Sequence, residues 1–246
     1  MKKNKMKITE HLGDLRKVII VCITTVFITS AASYYFLGDQ LVDFVNQPLE
    51  ELDVKLVYIG IGEAFITKIK LSVLAGIIIA LPVIIYKVWG FIAAGLFTNE
   101  KKAVMKLMLP SIILFVLGVS FAYLVVLNYA TRFLLMIVAG DLTPMLSVGP
   151  YVNFLMAFLI PFGIMFELPL VVYVLARIGI VNYRLLADKR KYAILIVFIV
   201  AAVLTPGPDL ISQILLALPM VILYEISVLI TWLVCPKGLA EEEQSA

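Results

Sequence analysis

Six apolar runs, separated by short polar segments, make up most of the chain. All but the fifth are about 20 residues or longer, the length that a helix needs to cross the roughly 30 Å of hydrocarbon in a bilayer. Hydrophobic residues amount to 63% of the 246 residues, whereas a soluble domain carries about 45–50%. We therefore predict an all-α membrane protein, a single polytopic domain over residues 1–246, with transmembrane helices at about 17–37, 66–93, 107–137, 151–178, 192–204 and 211–234.

The fifth apolar run is too short to cross a bilayer of ordinary thickness. Tyr192 to Leu204 gives 13 residues, or about 20 Å of helix. It is followed by Thr205-Pro206-Gly207-Pro208-Asp209, which favours a tight reversal because proline ends a helix and glycine permits a turn. We expect helices five and six to form a hairpin with a shallow tip.

Lysine and arginine are concentrated in alternate polar segments. The N-terminal tail and the connections between helices two and three and between four and five are basic, whereas the intervening segments are mostly acidic. Because basic loops stay in the cytoplasm, we predict that both termini are cytoplasmic, and the basic residues do not indicate nucleic-acid binding. The acidic segment at about 38–65 is then expected to form a partly ordered external cap. Lys68 and Lys70 are expected to extend their ammonium groups outward.

Residue types used in catalysis and metal binding are scarce. The single histidine, His11, precedes the first apolar run. The two cysteines, Cys22 and Cys235, have neither the spacing of metal ligands nor that of a disulfide framework. We expect no metal, no cofactor and no enzymatic activity.

Two carboxylates lie within apolar runs. Glu167 is in the fourth run, between Pro161 and Pro169, and Glu225 is in the sixth. A carboxylate in hydrocarbon is costly unless it is paired, neutralised or hydrated, so Glu167 is a functional candidate, with a structural hydrogen bond as the alternative. Glu225 has an equal claim to a structural role, paired with a hydroxyl or, through water, with Gln213.

Two other acids, Asp14 and Glu100, lie on the basic side of the predicted membrane protein. Each has an ordinary explanation, because Asp14 can pair with a neighbouring base and Glu100 can be a solvated loop residue near a helix N-terminus. Acids on a surface dominated by basic residues are also suited to binding a cationic partner.

Seven motifs are spread over residues 8–234. They are His11-Leu12-Gly13-Asp14-Leu15-Arg16, Asn46-Gln47-Pro48-Leu49 with Glu63-Ala64-Phe65, the segment from Pro82 to Ile92, Leu96-Phe97-Thr98-Asn99-Glu100-Lys101-Lys102, Phe166-Glu167-Leu168-Pro169, Thr205-Pro206-Gly207-Pro208-Asp209, and Gln213 with Pro219 and Tyr224-Glu225. Together they resemble the TatC family, the polytopic subunit of the twin-arginine protein translocase. The chain departs from the family pattern in having Asp14 for a glutamate, Val18 for an arginine and Ala94-Gly95 for a pair that contains proline.

The resemblance implies a cup-like arrangement of six transmembrane helices, with a short fifth and a short sixth helix, in an inner cell membrane of the bacterial, archaeal or plastid type. It implies a receptor that binds the twin-arginine signal peptides of folded precursor proteins. It further implies assembly in the lipid bilayer with single-span subunits of the TatA/TatB type and with further copies of the chain. The resemblance also implies that the proton-motive force drives export.

The resemblance also implies roles for individual residues. Signal-peptide binding is expected at Glu100, Asp14, Arg16, Leu15 and Phe91. An intramembrane polar contact with a partner is expected at Glu167 and Gln213. Structural or external-loop roles are expected at Pro48, Phe65, Pro82 and Asp209.

The main alternative is a proton-coupled secondary transporter of a small solute, with Glu167 or Glu225 as its site. Against it, the sequence contains no inverted repeat and no pair of discontinuous helices. An intramembrane enzyme is disfavoured because no second acid lies near Glu167 in the sequence and no histidine or cysteine lies at a helix centre.

Overall fold

The structure, a computed structural model, describes residues 8–50, 54, 56–94, 105–138, 145–205 and 210–234. These residues are almost entirely helical, because a helix satisfies its backbone hydrogen bonds internally and is therefore stable in lipid. The chain divides into two compact units, Met1–Ile113 with Thr143–Asn153 and Leu114–Leu142 with Phe154–Ala246. The single polytopic domain stays a prediction.

The first unit is built on two long helices, α1 (Ile8–Glu50) and α2 (Glu63–Ala94). Two short strands, β1 (Leu56–Val57) and β2 (Leu146–Ser147), pair in parallel. Leu56 lies opposite Leu146, and Val57 lies opposite Ser147. The strands therefore tie the segment before α2 to a segment about 90 residues later in the chain.

The other helices follow in chain order. One continuous helical stretch comprises α3 (Met108–Phe121), a π-helical segment (Ala122–Leu127), α4 (Asn128–Arg132) and a second π-helical segment (Phe133–Val138). The remaining helices are α5 (Val148–Phe166), α6 (Leu168–Arg177), α7 (Tyr183–Asp188), α8 (Arg190–Leu204) and α9 (Leu210–Val234).

Within the described residues, five helical stretches are long and apolar enough to cross a membrane: Leu12–Leu49, Glu63–Ala93, Met108–Leu135, Val148–Arg177 and Ser212–Val234. The helix missing from this set is α8, whose 15 residues give about 22 Å. The predicted all-α membrane fold with a short fifth transmembrane helix is confirmed. The sixth, α9, has 25 residues, or about 37 Å, and is longer than the resemblance implied.

The first helix extends well beyond its apolar run. α1 has 43 residues, or about 64 Å, and it includes residues 38–50, which were expected to begin the external cap. The helix continues because Val45 and Leu49 are one turn apart and both buried, at 4% and 1% exposure. Pro48 lies in the last turn, where the loss of one backbone hydrogen bond interrupts little helix.

Small residues bring α1 and α2 into close contact. A Cβ atom added to Gly76 would lie 2.7 Å from the backbone nitrogen and the Cα atom of Ser30. The hydroxyl of Thr29 donates a hydrogen bond to the carbonyl oxygen of Gly76 at 2.8 Å. Another small residue of α1, Ser33, is buried as well. Small residues and interhelical hydrogen bonds are typical of helix association in lipid.

In the second unit, glycines face aromatic residues. A Cβ atom added to Gly118 would lie 2.7 Å from the carbonyl oxygen of Phe162, and one added to Gly163 would lie 2.7 Å from the ring of Phe115. Phe162 is fully buried, and its ring centroid is 5.9 Å from that of Phe121. The backbones of α3 and α5 therefore approach closely along this contact.

Candidate functional site

Three of the residues predicted to bind a signal peptide lie near the start of α1. Asp14 is half-buried, and its Oδ1 atom is 3.6 Å from the Nζ atom of Lys17, one turn later. Leu15 and Arg16 are exposed. An exposed ion pair with this helical spacing is worth only about 0.3–0.5 kcal/mol. A cation that binds the Asp14 carboxylate more strongly than Lys17 can therefore displace Lys17.

Phe91, the fourth predicted contact, lies half-buried in the last turns of α2. Close to it, the indole nitrogen of Trp89 donates a hydrogen bond to the hydroxyl of Ser111 at 3.1 Å, and Trp89 is only 3% exposed. This contact fastens the end of α2 to the start of α3 on either side of the segment that contains Glu100. Glu100 itself lies outside the described residues, so its grouping with Asp14 stays a prediction.

Glu167 lies at the break between α5 and α6. Its backbone amide donates to the carbonyl of Ile164 at 3.1 Å, three residues back, where a regular helix would use the fourth. Pro169, at the beginning of α6, has no amide hydrogen and so cannot continue the ladder of α5. The half-buried carboxylate therefore lies where the regular backbone hydrogen bonding of the fourth transmembrane helix is interrupted. Its Oε1 atom is buried.

Gln213 and Glu225 both link α9 to α8. The side-chain amide of Gln213 donates a hydrogen bond to the carbonyl oxygen of Phe198 at 3.0 Å. The Oε2 atom of Glu225 is 2.9 Å from the Nη2 atom of Arg190. The interpretation that paired Glu225 with a hydroxyl or with Gln213 is therefore wrong. Because α8 is short, its first residue, Arg190, lies level with Glu225 rather than beyond the end of α9.

A further contact holds the short helix α7 against α9. The hydroxyl of Tyr224 donates a hydrogen bond to the carbonyl oxygen of Leu186 at 2.7 Å. At the beginning of α7, the side chain of Asn182 accepts a hydrogen bond from the amide of Leu185 at 2.7 Å, as an N-cap residue does. The connection between α6 and α8 is therefore an ordered element of the second unit.

Glu63, the first residue of α2, holds together the segments around β1 and β2. Its carboxylate accepts hydrogen bonds from the amides of Ile59 at 2.7 Å, Gly60 at 3.1 Å and Gly149 at 2.7 Å. It also accepts one from the hydroxyl of Ser147. On sequence alone, Glu63 has no predicted role beyond its place in a motif. The available signal was an acid at a helix N-terminus directly after a glycine-containing turn.

The two lysines at the start of α2 bind partners within the protein. Lys68 Nζ lies 2.8 Å from Asp39 Oδ1 and 5.4 Å from the centroid of the Tyr34 ring. Lys70 Nζ donates to the side-chain oxygen of Asn153 at 2.7 Å. Each ammonium group is therefore held by a particular acceptor within the protein, Asp39 for Lys68 and Asn153 for Lys70.

The residues predicted to have structural roles fall in different places. The exposed ring of Phe65 makes an edge-on contact with Tyr34, with centroids 6.3 Å apart. Pro82 lies inside α2 and is exposed, and Pro48 is buried at the end of α1. Asp209 lies outside the described residues.

Metal coordination finds no support in the part of the chain that the structure describes, where no group of three or more His, Cys, Asp and Glu side chains is close enough to hold an ion. The interactions found around the predicted residues are hydrogen bonds, ion pairs and aromatic contacts.

Comparison with known proteins agrees with this picture. The family model described as TatC, Sec-independent protein translocase protein, matches residues 10–219. The TatC protein of Carboxydothermus hydrogenoformans is 45% identical over 244 residues, covering 99% of this chain and 100% of that protein. The TatC protein of Aquifex aeolicus is 40% identical, covering 91% and 93% of the two chains.

A solved structure supports the fold as well as the sequence match. The crystal structure of a twin-arginine translocase receptor, TatC, superposes with a TM-score of 0.83 at 38% identity, covering 91% of this chain and 99% of that one. None of these relatives favours a transporter of small solutes. The chain belongs to the TatC family and is a non-enzymatic membrane component of the Sec-independent protein translocase.

Proposed function

We propose that the chain is the receptor subunit that recognises twin-arginine signal peptides on folded precursor proteins, using the carboxylates of Glu100 and Asp14. A guanidinium group donates two parallel hydrogen bonds to a carboxylate, and lysine cannot reproduce that fork. Glu100, with the longer side chain, is the primary partner of the arginine pair, and Asp14 is the secondary one. A structure that resembles this chain is named a twin-arginine translocase receptor, which supports the proposal.

The observation that carries the proposal is the weak pairing of Asp14. Its contact with Lys17 is 3.6 Å long, and the lysine side chain is 80% exposed. A charge-assisted hydrogen bond contributes about 1.5–3 kcal/mol, several times the value of an exposed pair between helical neighbours. An arriving guanidinium therefore displaces Lys17 from Asp14 with a net gain.

The other predicted contacts surround these two acids in the sequence. Leu15 and Phe91 offer apolar surface to the residues that follow the arginine pair, and the exposed Arg16 can donate hydrogen bonds to the carbonyl groups of the peptide. The hydrogen bond between Trp89 and Ser111 holds together the two ends of the segment that contains Glu100.

The orientation in the membrane follows from the charges. Both termini, Asp14 and Glu100 face the cytoplasm of an inner cell membrane, because the three segments on that side carry most of the lysine and arginine. Precursor proteins are made in the cytoplasm. The proposed recognition site is therefore on the side from which its ligand arrives.

Assembly with single-span partner subunits is assigned to the membrane interior. Glu167, at the break between α5 and α6, places a carboxyl group within hydrocarbon, where a polar residue on a partner helix can meet it. Gln213 supplies a second polar group on the hairpin of α8 and α9. Interhelical hydrogen bonds contribute about 0.6–2 kcal/mol each, which biases assembly without making it irreversible. The receptor works as a homo-oligomer with these partners, and the proton-motive force drives export.

Binding of a labelled signal peptide to the purified protein in detergent tests the recognition step. The expected result is retention of a peptide with two arginines and loss of most of that binding when both become lysine, since lysine keeps the charge and removes the fork. Equal retention of the two peptides would show that the site reads charge alone and would contradict the proposal.

A further inference from the structure

The connection between α6 and α8 carries a dense basic charge. Residues 177–192, here named the basic junction, contain five basic residues and one acid: Arg177, Arg184, Lys189, Arg190, Lys191 and Asp188. The peptide-binding proposal uses none of them. A basic surface attracts anions, and beside a membrane these include lipid headgroups.

Two of the cations are already engaged within the protein. Arg190 is 2.9 Å from Glu225, and the guanidinium of Arg177 donates to the hydroxyl of Tyr173 at 2.8 Å. The first contact joins α8 to α9, and the second lies within α6, between residues four apart. The exposed positive charge next to the apolar helix α8 comes from Lys189 and Lys191, whereas Arg184, another exposed cation of the basic junction, lies in α7.

Lys189 and Lys191 are gathered around a single aromatic ring. Their Nζ atoms lie 5.3 Å and 5.2 Å from the ring centroid of Tyr192, and all three residues are exposed. A cation near an aromatic face is stabilised by the electrons of the ring. Both ammonium groups therefore lie beside this ring at the N-terminal end of α8, where they supply positive charge to an anion that binds there.

The surface next to this cluster is apolar and uncovered. In α8 only Val197 and Ala201 are buried, whereas Leu195, Ile196 and Ile199 are 54–59% exposed. Tyrosine is enriched where hydrocarbon meets headgroups, and lysine extends its ammonium group from that level. The order along the chain, from two lysines to a tyrosine to an apolar helix, matches the order of phosphate, glycerol and acyl chain in a phospholipid.

We propose that Lys189 and Lys191 bind the headgroup phosphate of an anionic phospholipid whose acyl chains lie against the exposed apolar face of α8. Charge selects an anionic lipid over a zwitterionic one, because the latter brings its own cation next to the phosphate. Asp188, the acid beside Lys189, is exposed and opposes only part of this charge. The lipid covers a helix that otherwise presents most of its surface to hydrocarbon.

The test is lipid retention measured by native mass spectrometry after release from nanodiscs that contain equal amounts of phosphatidylglycerol and phosphatidylcholine. Wild type retains phosphatidylglycerol in preference. In the double variant Lys189→Gln and Lys191→Gln the ratio of the two retained lipids falls about 5- to 25-fold, since a basic residue at an anionic surface contributes about fivefold.

Two comparisons make the test specific. The double variant Lys3→Gln and Lys106→Gln loses the same charge elsewhere and lowers the ratio less than the variant of Lys189 and Lys191, because the two lysines beside α8 still hold the lipid. Tyr192→Phe keeps the wild-type ratio because the ring remains. An unchanged ratio in the variant of Lys189 and Lys191, or an equal fall in the control, would overturn the proposal. Displacement of phosphatidylglycerol by an equal concentration of free glycerol phosphate would overturn it too, because the site would then recognise phosphate without the lipid.

Discussion

Gly76→Ala is expected to destabilise the pairing of α1 and α2, although alanine is the better helix former. The added Cβ would lie 2.2 Å from the Oγ atom and 2.7 Å from the backbone nitrogen and Cα of Ser30, whereas ordinary contact begins at 3.4 Å. The hydroxyl can turn away, but the backbone cannot. The helices must therefore separate by about 0.7 Å along this contact, because repulsion rises steeply at such distances.

The magnitude follows from three terms. Overpacking costs about 1–3 kcal/mol, and weakening the hydrogen bond from Thr29 to the Gly76 carbonyl removes about 0.6 kcal/mol. The higher helix propensity of alanine returns at most about 1 kcal/mol. With the full alanine gain, the net loss is about 0.6–2.6 kcal/mol, which corresponds to an apparent Tm lower by about 1–10 °C for a chain of this size.

The assay is thermal unfolding of the purified protein in detergent, followed by circular dichroism. Gly90→Ala, in the same helix, is the matched control, because a Cβ atom there meets nothing within 4 Å, and its Tm should equal or exceed that of wild type. Adding Ser30→Gly to the Gly76 variant should not restore stability, since the backbone contacts remain. Equal Tm values for the two alanine variants would refute the close packing of α1 and α2.

The remaining predictions concern the polar contacts of the two units. In a double-mutant cycle with Glu225→Gln and Arg190→Gln, we expect a coupling of about 0.5–1 kcal/mol in unfolding free energy, because both side chains are more than two-fifths exposed and water screens the pair; additive effects would contradict the contact. Glu63→Gln should speed hydrogen exchange at the amides of Ile59 and Gly149, because both donate hydrogen bonds to the Glu63 carboxylate; unchanged exchange there would refute its linking role. Glu167→Ala should reduce co-purification of single-span partners while signal-peptide binding stays near wild type, with Glu167→Gln milder; the reverse pattern would place Glu167 in the recognition site.

The helices were predictable because lipid leaves the backbone few choices. An apolar run of sufficient length has to be helical in a bilayer, and α9 accordingly occupies Leu210–Val234, where the last run lies. The short length of α8 was predictable for the same reason, because Thr205 and the prolines after it end the fifth apolar run. The extension of α1 to Glu50 was not predictable, because it depends on the burial of Val45 and Leu49. These two residues do not belong to an apolar run that would indicate a helix.

The polar contacts were the less predictable part. The type of residue showed that Glu225 needed a partner, but the identity of Arg190 depends on how far α8 reaches along α9. Two of the four hydrogen bonds to Glu63, those from Ser147 and Gly149, likewise depend on a chain segment some 85 residues away. By contrast, the prediction that Asp14 binds a cation rests on its position among basic residues, and such a surface charge does not depend on long-range packing.

The central claim is that two carboxylates recognise the arginine pair, and the affinity of a labelled twin-arginine peptide for three purified proteins tests it most directly. Glu100→Gln should weaken binding about 10- to 150-fold relative to wild type, the equivalent of about 1.5–3 kcal/mol for a charge-assisted hydrogen bond. Asp14→Asn should weaken it less, because the shorter side chain is the secondary partner. The preference for two arginines over two lysines should shrink in both variants, and more in the Glu100 variant, because each variant keeps one of the two carboxylates. Wild-type affinity in the Glu100 variant, with discrimination between arginine and lysine intact, would contradict the account.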